Sequence, residues 1–527
     1  MQTITVSTFY STGLHSDFAS ISTIEIEDKP FASGGFGDVY FCSSINGKVL
    51  KIPQVVKVFK NVTSGNAEKS YETIKRLQER IKVKNQDLIN QNKPPISNTP
   101  AFKAIPQFSY EGMLNAKKVF GYSASRLDTM GFIPFDKVLE DKTITQQFRG
   151  LNFETKLLFC YHLAYGFEIL KSINYIHADI NPQNFFINLS NGELAVIDFD
   201  SGAVTDNPND KPDTFGKVAE ADWLAPEISE QLANQTKTIP TIKVNLHTDT
   251  WSVAVGIHHL IFLQHPYFFL KDLGKDTIKK YLKSNEWCEI KQGDANFNAN
   301  LNFSNYQKYV NLLENVVPKE IARAFKSTFN NGCFNPQNRV SYDQWTIALK
   351  QSQTPPIIDS FKPNKKVLVE GQEVTLSWSV RNVNRILING SIDVTGKSEH
   401  TIQPQKTASY FIQAFNIFGD SISKKEEIEV IPMPKIEIAF PAPNFTISFN
   451  RQAVGTQLPD LNFMFPLEAS KLTKVDERLL KPVNGFEVEH ILRKRILRAL
   501  GKAFFLVSII TISVVLGYYF ALTSNHQ

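Results

Sequence analysis

Apolar residues recur along the 527-residue chain in three patterns, and each predicts a different element. Val374, Leu376, Trp378 and Val380 alternate with Thr375, Ser377 and Ser379, the period of a strand with one buried face. Further strand-like runs, Arg385 to Asn389, Ser409 to Phe415 and Glu427 to Ile431, are divided by turns at Gly390, Gly396 and Gly419, so residues 355–432 read as a small all-β sandwich. Tyr71, Ile74, Leu77 and Ile81 lie three or four residues apart, the inward face of a helix. From Ala503 to Leu522 no residue is charged, and twenty residues rising about 1.5 Å each match a hydrocarbon core of about 30 Å, which predicts one C-terminal transmembrane α-helix.

Between sandwich and apolar run, Pro434, Pro441, Pro443, Pro459, Pro466 and Pro482 exclude a continuous helix, so residues 433–502 read as a Pro-containing linker and juxtamembrane segment. Arg493, Lys494, Arg495, Arg498 and Lys502 precede the apolar run and no Lys or Arg follows it. That asymmetry predicts a lipid bilayer as partner, with the long N-terminal part held on the cytoplasmic face. The formal net charge of +5 equals this basic collar, and the rest of the chain is neutral, which argues against nucleic acid as a partner. Cys42, Cys160, Cys288 and Cys333 are too scattered for a zinc site and read as reduced thiols. Met1 to Thr5 lack the basic and apolar regions of a signal peptide.

Residues 21–350 hold an ordered set of motifs, with 1–20 read as an N-terminal extension. Ala32 to Tyr40 contain Gly34, Gly35, Phe36, Gly37 and Val39, a glycine-rich turn between β-like runs where backbone can approach phosphates closely. Lys57 lies in the β-branched run Val55 to Phe59, where burying an ammonium is costly unless an anion meets it. The helix that follows offers Glu72 as its carboxylate partner, with Glu68 as the alternative. Then come His177-Ala178-Asp179, Asn181 and Asn184, the apolar run Val196-Ile197 ending in Asp198-Phe199-Asp200, Ala225-Pro226-Glu227, Asp249-Thr250-Trp251-Ser252, His265-Pro266-Tyr267 and Arg339.

In these motifs the chain resembles the eukaryotic-type (Hanks-type) protein kinases, in the style found in bacteria. The resemblance implies an α+β bilobal protein-kinase-like fold over residues 21–350. It implies ATP under Gly34, Gly35, Phe36, Gly37 and Val39, with Lys57 on its α- and β-phosphates, and Mg²⁺ at Asn184 and Asp198. It gives Asp179 the acceptor hydroxyl, Glu72 the orientation of Lys57, and Glu227 an ion pair with Arg339. The expected partner is a protein substrate with serine or threonine as acceptor. The wording of Glu370 to Trp378 and of Asn416 to Gly419 resembles bacterial immunoglobulin-like modules, here without their cysteine pair.

Four positions depart from the kinase pattern. Ala178 removes the arginine that clamps a phosphorylated activation segment, although Thr205 and Thr214 offer hydroxyls there. Asp200 replaces a glycine, Asn181 replaces the lysine that reaches the γ-phosphate, and Glu220 replaces a threonine. Together they motivate an alternative, a membrane-anchored pseudokinase that binds nucleotide or serves as a scaffold. Asn181 alone also matches small-molecule phosphotransferases, against which the Ala225-Pro226-Glu227 and Arg339 pairing argues.

Overall fold

The computed structural model describes residues 1–12, 16–60, 65–215, 221–234, 241–270, 278, 281–283, 287–290 and 303–433. Glu220, most of the 433–502 linker and the apolar run 503–522 lie outside the described residues. Among the described residues, no helix is long and apolar enough to cross a membrane.

Seven antiparallel strands form the first layer: β1 (Gln2–Ser11), β2 (Thr23–Ile26), β3 (Ala32–Ser33), β4 (Gly37–Ile45), β5 (Gln54–Phe59), then, after helix α1 (Asn66–Asn90), β6 (Phe108–Leu114) and β7 (Lys117–Ser125). The sheet order is β2-β1-β6-β7-β5-β4-β3, and β2 also pairs with β4, so the six longer strands close into a barrel. Closure leaves those strands no free edge. Ile4, Ile24, Ile26, Val56, Val58, Phe108 and Tyr110 fill its interior. The stretch read as an N-terminal extension is thus part of the sheet: β1 pairs with β2 from Gln2 to Thr5 and with β6 from Ile4 to Ser11.

Helix α1 buries Tyr71, Ile74, Leu77 and Ile81, the face its periodicity predicts. Two polar residues on that face fix its position. Gln78 donates to the Pro106 carbonyl (3.2 Å) and accepts from Ser109 Oγ (2.8 Å), and Asn85 Oδ1 accepts the Ile96 N–H at 2.7 Å.

The second layer is mainly helical. Apart from the short strand β8 (Ile133–Pro134), its principal helices are α2 (Phe135–Glu140), α3 (Lys142–Gly150), α4 (Phe153–Ser172), α5 (Pro226–Ala233), α6 (Thr248–Phe262), α7 (Phe303–Asn315), α8 (Lys319–Phe329) and α9 (Tyr342–Gln351). Helix α6 is apolar nearly all round and buried from Thr248 to Leu260, the pattern of a central core helix. It packs with α4, which buries Leu157, Phe159, Cys160, Leu163 and Phe167. Short strands carry the chemistry above this core: β9 (Tyr175–Ile176), β10 (Phe185–Asn188), β11 (Glu193–Val196) and β12 (Ala203–Val204). β10 pairs with β11, and β9 with β12, which brings the loops after β9 and β11 side by side. All four cysteines are free thiols.

Residues 357–431 form two sheets of three and five strands that share one core of Phe361, Leu376, Trp378, Ile388, Ile412 and Ile428. The predicted alternation holds, with Val374, Leu376 and Trp378 buried. Gly419 turns at φ +85°, where side chains other than glycine are strained. The loop at this turn touches α4, where the Phe418 ring meets the Tyr161 ring edge-on at 5.5 Å, and the segment after α9, where Asn416 Nδ2 donates to Gln353 Oε1 at 2.6 Å.

Candidate functional site

The site is assembled from the lower end of the barrel and the two loops after β9 and β11. At the barrel end, β3 and β4 form the glycine-rich hairpin, closed by the Gly34 N–H to the Gly37 carbonyl at 2.9 Å. A Cβ on Gly37 would meet the Val58 carbonyl at 2.9 Å, so only glycine fits there, whereas around Gly35 nothing lies within 4 Å. The hairpin is held from below by Lys60, whose Nζ donates to Ser33 Oγ (2.8 Å) and the Gly34 carbonyl (3.0 Å) and pairs with Asp38 (2.8 Å). Val39 pairs with Lys57 across the β4–β5 ladder.

The residues of the loop after β9 converge on Asp179, which is 2% exposed. Asn181 Nδ2 donates to one carboxylate oxygen at 3.0 Å and Asn184 Nδ2 to the other at 3.0 Å, and Asn184 also reaches the Asp179 carbonyl at 2.7 Å. Asn181 thus stands beside Asp179 as a neutral donor where a lysine is expected. The loop is anchored from the core by Asp249 at the start of α6, which accepts the backbone N–H of His177 (2.7 Å) and of Ala178 (2.9 Å). Burial pushes the Asp249 carboxyl up to about 6, against the lowering effect of those two N–H donors. His177 bonds the Ile197 carbonyl at 2.8 Å, joining the two loops, and burial holds its imidazole down to about 4.

Lys57 departs from expectation. Its ammonium bonds Asp198 Oδ1 and, at 2.7 Å, Asp200 Oδ1. Glu72 does not reach it: this carboxylate is exposed, lies 3.6 Å from Lys75 on its own helix and lines a cavity. Glu68, the alternative, is also exposed. Asp200 sits where the pattern has glycine, and its carboxylate occupies the position beside the buried ammonium. Burial works against the Lys57 charge, but Asp198 and Asp200 more than offset it and hold the ammonium well above its usual range. Asp200 is pushed up by burial and by the neighbouring Asp198, whereas Asp198, though buried, is held low by Lys57.

The cavity, about 280 Å³, lies between α1 and the segment after Asp198 and is lined in part by Phe36, Lys69, Glu72, Arg76, Asp200 and Thr214. Arg76 and Arg80 of α1 both bond Asp206 at 2.9 Å, tying the helix to that segment. Thr205 and Thr214 are buried, 2% and 5% exposed, so neither hydroxyl is available to a modifying enzyme in this conformation. Below, Glu227 and Arg339 form a two-pronged ion pair at 2.9 and 2.6 Å, with the Arg339 side chain fully buried and Glu227 27% exposed.

The donors fit a hard cation. Asn184 commits its N–H groups to Asp179, leaving Oδ1 as an acceptor atom, and Asp198 adds a carboxylate. Among the described residues no cluster of three acidic, histidine or cysteine side chains could hold a metal ion. Sequence reasoning missed three contributors. Asp200 was visible as a departure, Lys60 as a second lysine near the hairpin, and Asp249 as the first residue of a buried-helix motif, but none of these signals specified its contact.

Residues 127–344 match the family model of the protein kinase domain. Over 195 residues the chain is 25% identical to the Rho-associated protein kinase let-502 of Caenorhabditis briggsae, covering 37% of this chain and 14% of that protein. Over 250 residues it is 21% identical to the mitogen-activated protein kinase mpk-1 of Caenorhabditis elegans, covering 46% of this chain and 53% of that protein. A solved structure, a rhoptry kinase from Toxoplasma gondii, aligns with a TM-score of 0.40 and 11% identity over 66% of this chain and 82% of that one. The chain spans about half or less of the curated relatives it matches. It carries a protein kinase domain.

Proposed function

We propose that the protein transfers the γ-phosphate of ATP to a serine or threonine hydroxyl of a protein substrate. The observation that carries this reading is the Asp179 carboxylate gripped by Asn181 and Asn184 at 3.0 Å each, beside the loop that bears Asp198. Asp179 orients the acceptor hydroxyl and takes its proton as the new O–P bond forms and the bond to the departing ADP breaks. Lys57 holds the α- and β-phosphates, and the glycine-rich hairpin covers them. Asn184 and Asp198 would hold Mg²⁺, which when bound would neutralise developing phosphate charge. Asn181 fixes Asp179 without adding a cation, so the site depends on the metal more than one with lysine at that position.

The full chain incubated with Mg-ATP and a generic protein acceptor tests the reading. Phosphoserine or phosphothreonine is expected, and an Asp179→Asn variant with equal labelling would refute it. The extra buried carboxylate at Lys57 favours a second reading, a nucleotide-binding pseudokinase. Thermal stabilisation by Mg-ATP with no transfer to any acceptor would select it.

The same proposal places residues 503–522 in a membrane with the kinase domain on the cytoplasmic side, and takes the 357–431 sandwich as an immunoglobulin-like docking module. Loss of membrane sedimentation on removal of residues 493–527 tests the anchor.

A further inference from the structure

Helix α1 packs on β6, β7 and the turn after Asp198, yet supplies no carboxylate to Lys57, since Glu68 and Glu72 are both exposed. The ammonium is nonetheless buried, and a buried charge must be paired. Both partners come from one short turn. Asp198 takes a left-handed φ of 63°, Phe199 is fully buried with its ring 5.2 Å from that of His177, and Asp200 follows with its side chain 1% exposed. Asp200 Oδ1 accepts from Lys57 Nζ at 2.7 Å and from the Tyr122 hydroxyl at 3.4 Å, and its carbonyl accepts from Ser70 Oγ at 3.4 Å. Asp200 thus bonds Lys57 directly and is itself held by Tyr122 and Ser70.

We infer that Asp200, and not a glutamate of α1, is the positioning residue for Lys57. Lysine and proposed metal carboxylate are then set by a single turn, which α1 touches through the Ser70 hydroxyl and not through a carboxylate. The role of Lys57 toward phosphate rests on the kinase reading above; the pairing itself does not.

The test is a mutant cycle on the full chain, read first by thermal denaturation without nucleotide. Lys57→Met leaves two buried carboxylates side by side and lowers Tm by several degrees. Adding Asp200→Asn in that background recovers roughly half of the loss or more, while adding Glu72→Gln recovers none. Should Lys57→Met not accumulate, Lys57→Gln keeps a donor and is expected to give the same pattern. The second readout is affinity for a fluorescent ADP analogue with Mg²⁺. Asp200→Asn weakens it about tenfold in the native background, the scale of one charge-assisted hydrogen bond, and less than about twofold once Lys57 is Met. Equal Tm shifts from Asp200→Asn in both backgrounds, or recovery by Glu72→Gln, would overturn the inference. If the native chain binds no nucleotide, the kinase reading falls and the denaturation cycle alone decides the pairing.

Discussion

Breaking the Glu227–Arg339 pair from its two ends should cost different amounts. The Arg339 side chain is wholly buried and Glu227 is 27% exposed. Glu227→Ala therefore strands a guanidinium in the core, where it keeps the Gly332 carbonyl at 2.9 Å and the Trp251 ring at 5.2 Å but no opposite charge. A stranded buried charge costs about 3–5 kcal/mol. Arg339→Leu instead leaves a carboxylate that water can reach, so its cost is the lost hydrogen bonds and the Gly332 carbonyl left bare, about 2–3 kcal/mol. The double variant should be less than additive by about 2 kcal/mol. Urea unfolding followed by tryptophan fluorescence measures this, since Trp251 lies beside the guanidinium. Because the guanidinium end of the pair is wholly buried, added salt should change little. A cost below about 1 kcal/mol for Glu227→Ala, or a larger cost for Arg339→Leu, would refute the argument.

Three further outcomes are expected. Burial holds the His162 imidazole down to about 4, so its stabilising contribution is present above the ordinary value of 6.5 and is lost as pH falls through 4. Over that window it amounts to at most about 3 kcal/mol, and His162→Gln should flatten the dependence of urea midpoint on pH by up to one proton. Gly121→Ala places a methyl 2.0 Å from the Lys57 carbonyl and 2.5 Å from the Tyr110 hydroxyl, so the β5–β7 ladder must part. Its Tm should fall by several degrees and phosphotransfer should fall with it, while Gly371→Ala, with open space around it, shows only the milder strain of a positive φ. Phe418→Ser removes the ring packed on Tyr161, and subtilisin should then cut residues 352–356 faster with the unfolding transitions in place; an unchanged rate would mean the ring contributes nothing to docking.

That Asp179 and Asn184 share one loop was legible in the sequence because they are five residues apart, whereas the hydrogen bond between them appears only in the structure. The alternation from Val374 to Val380 likewise determined its strand, since a two-residue period fixes which side chains share a face. The pairing of Glu227 with Arg339 spans 112 residues and was readable only through resemblance. What the sequence could not decide was the partner of Lys57. Glu68 and Glu72 stand one turn apart on α1, and helical periodicity marks a face without saying how far that face lies from a given strand. Nor could it show that β1 closes the barrel, because strand pairing across 100 residues depends on which edges remain open once the other strands have folded. Those outcomes were decided by packing: a buried turn sets two carboxylates against the ammonium, while the helix glutamates face water.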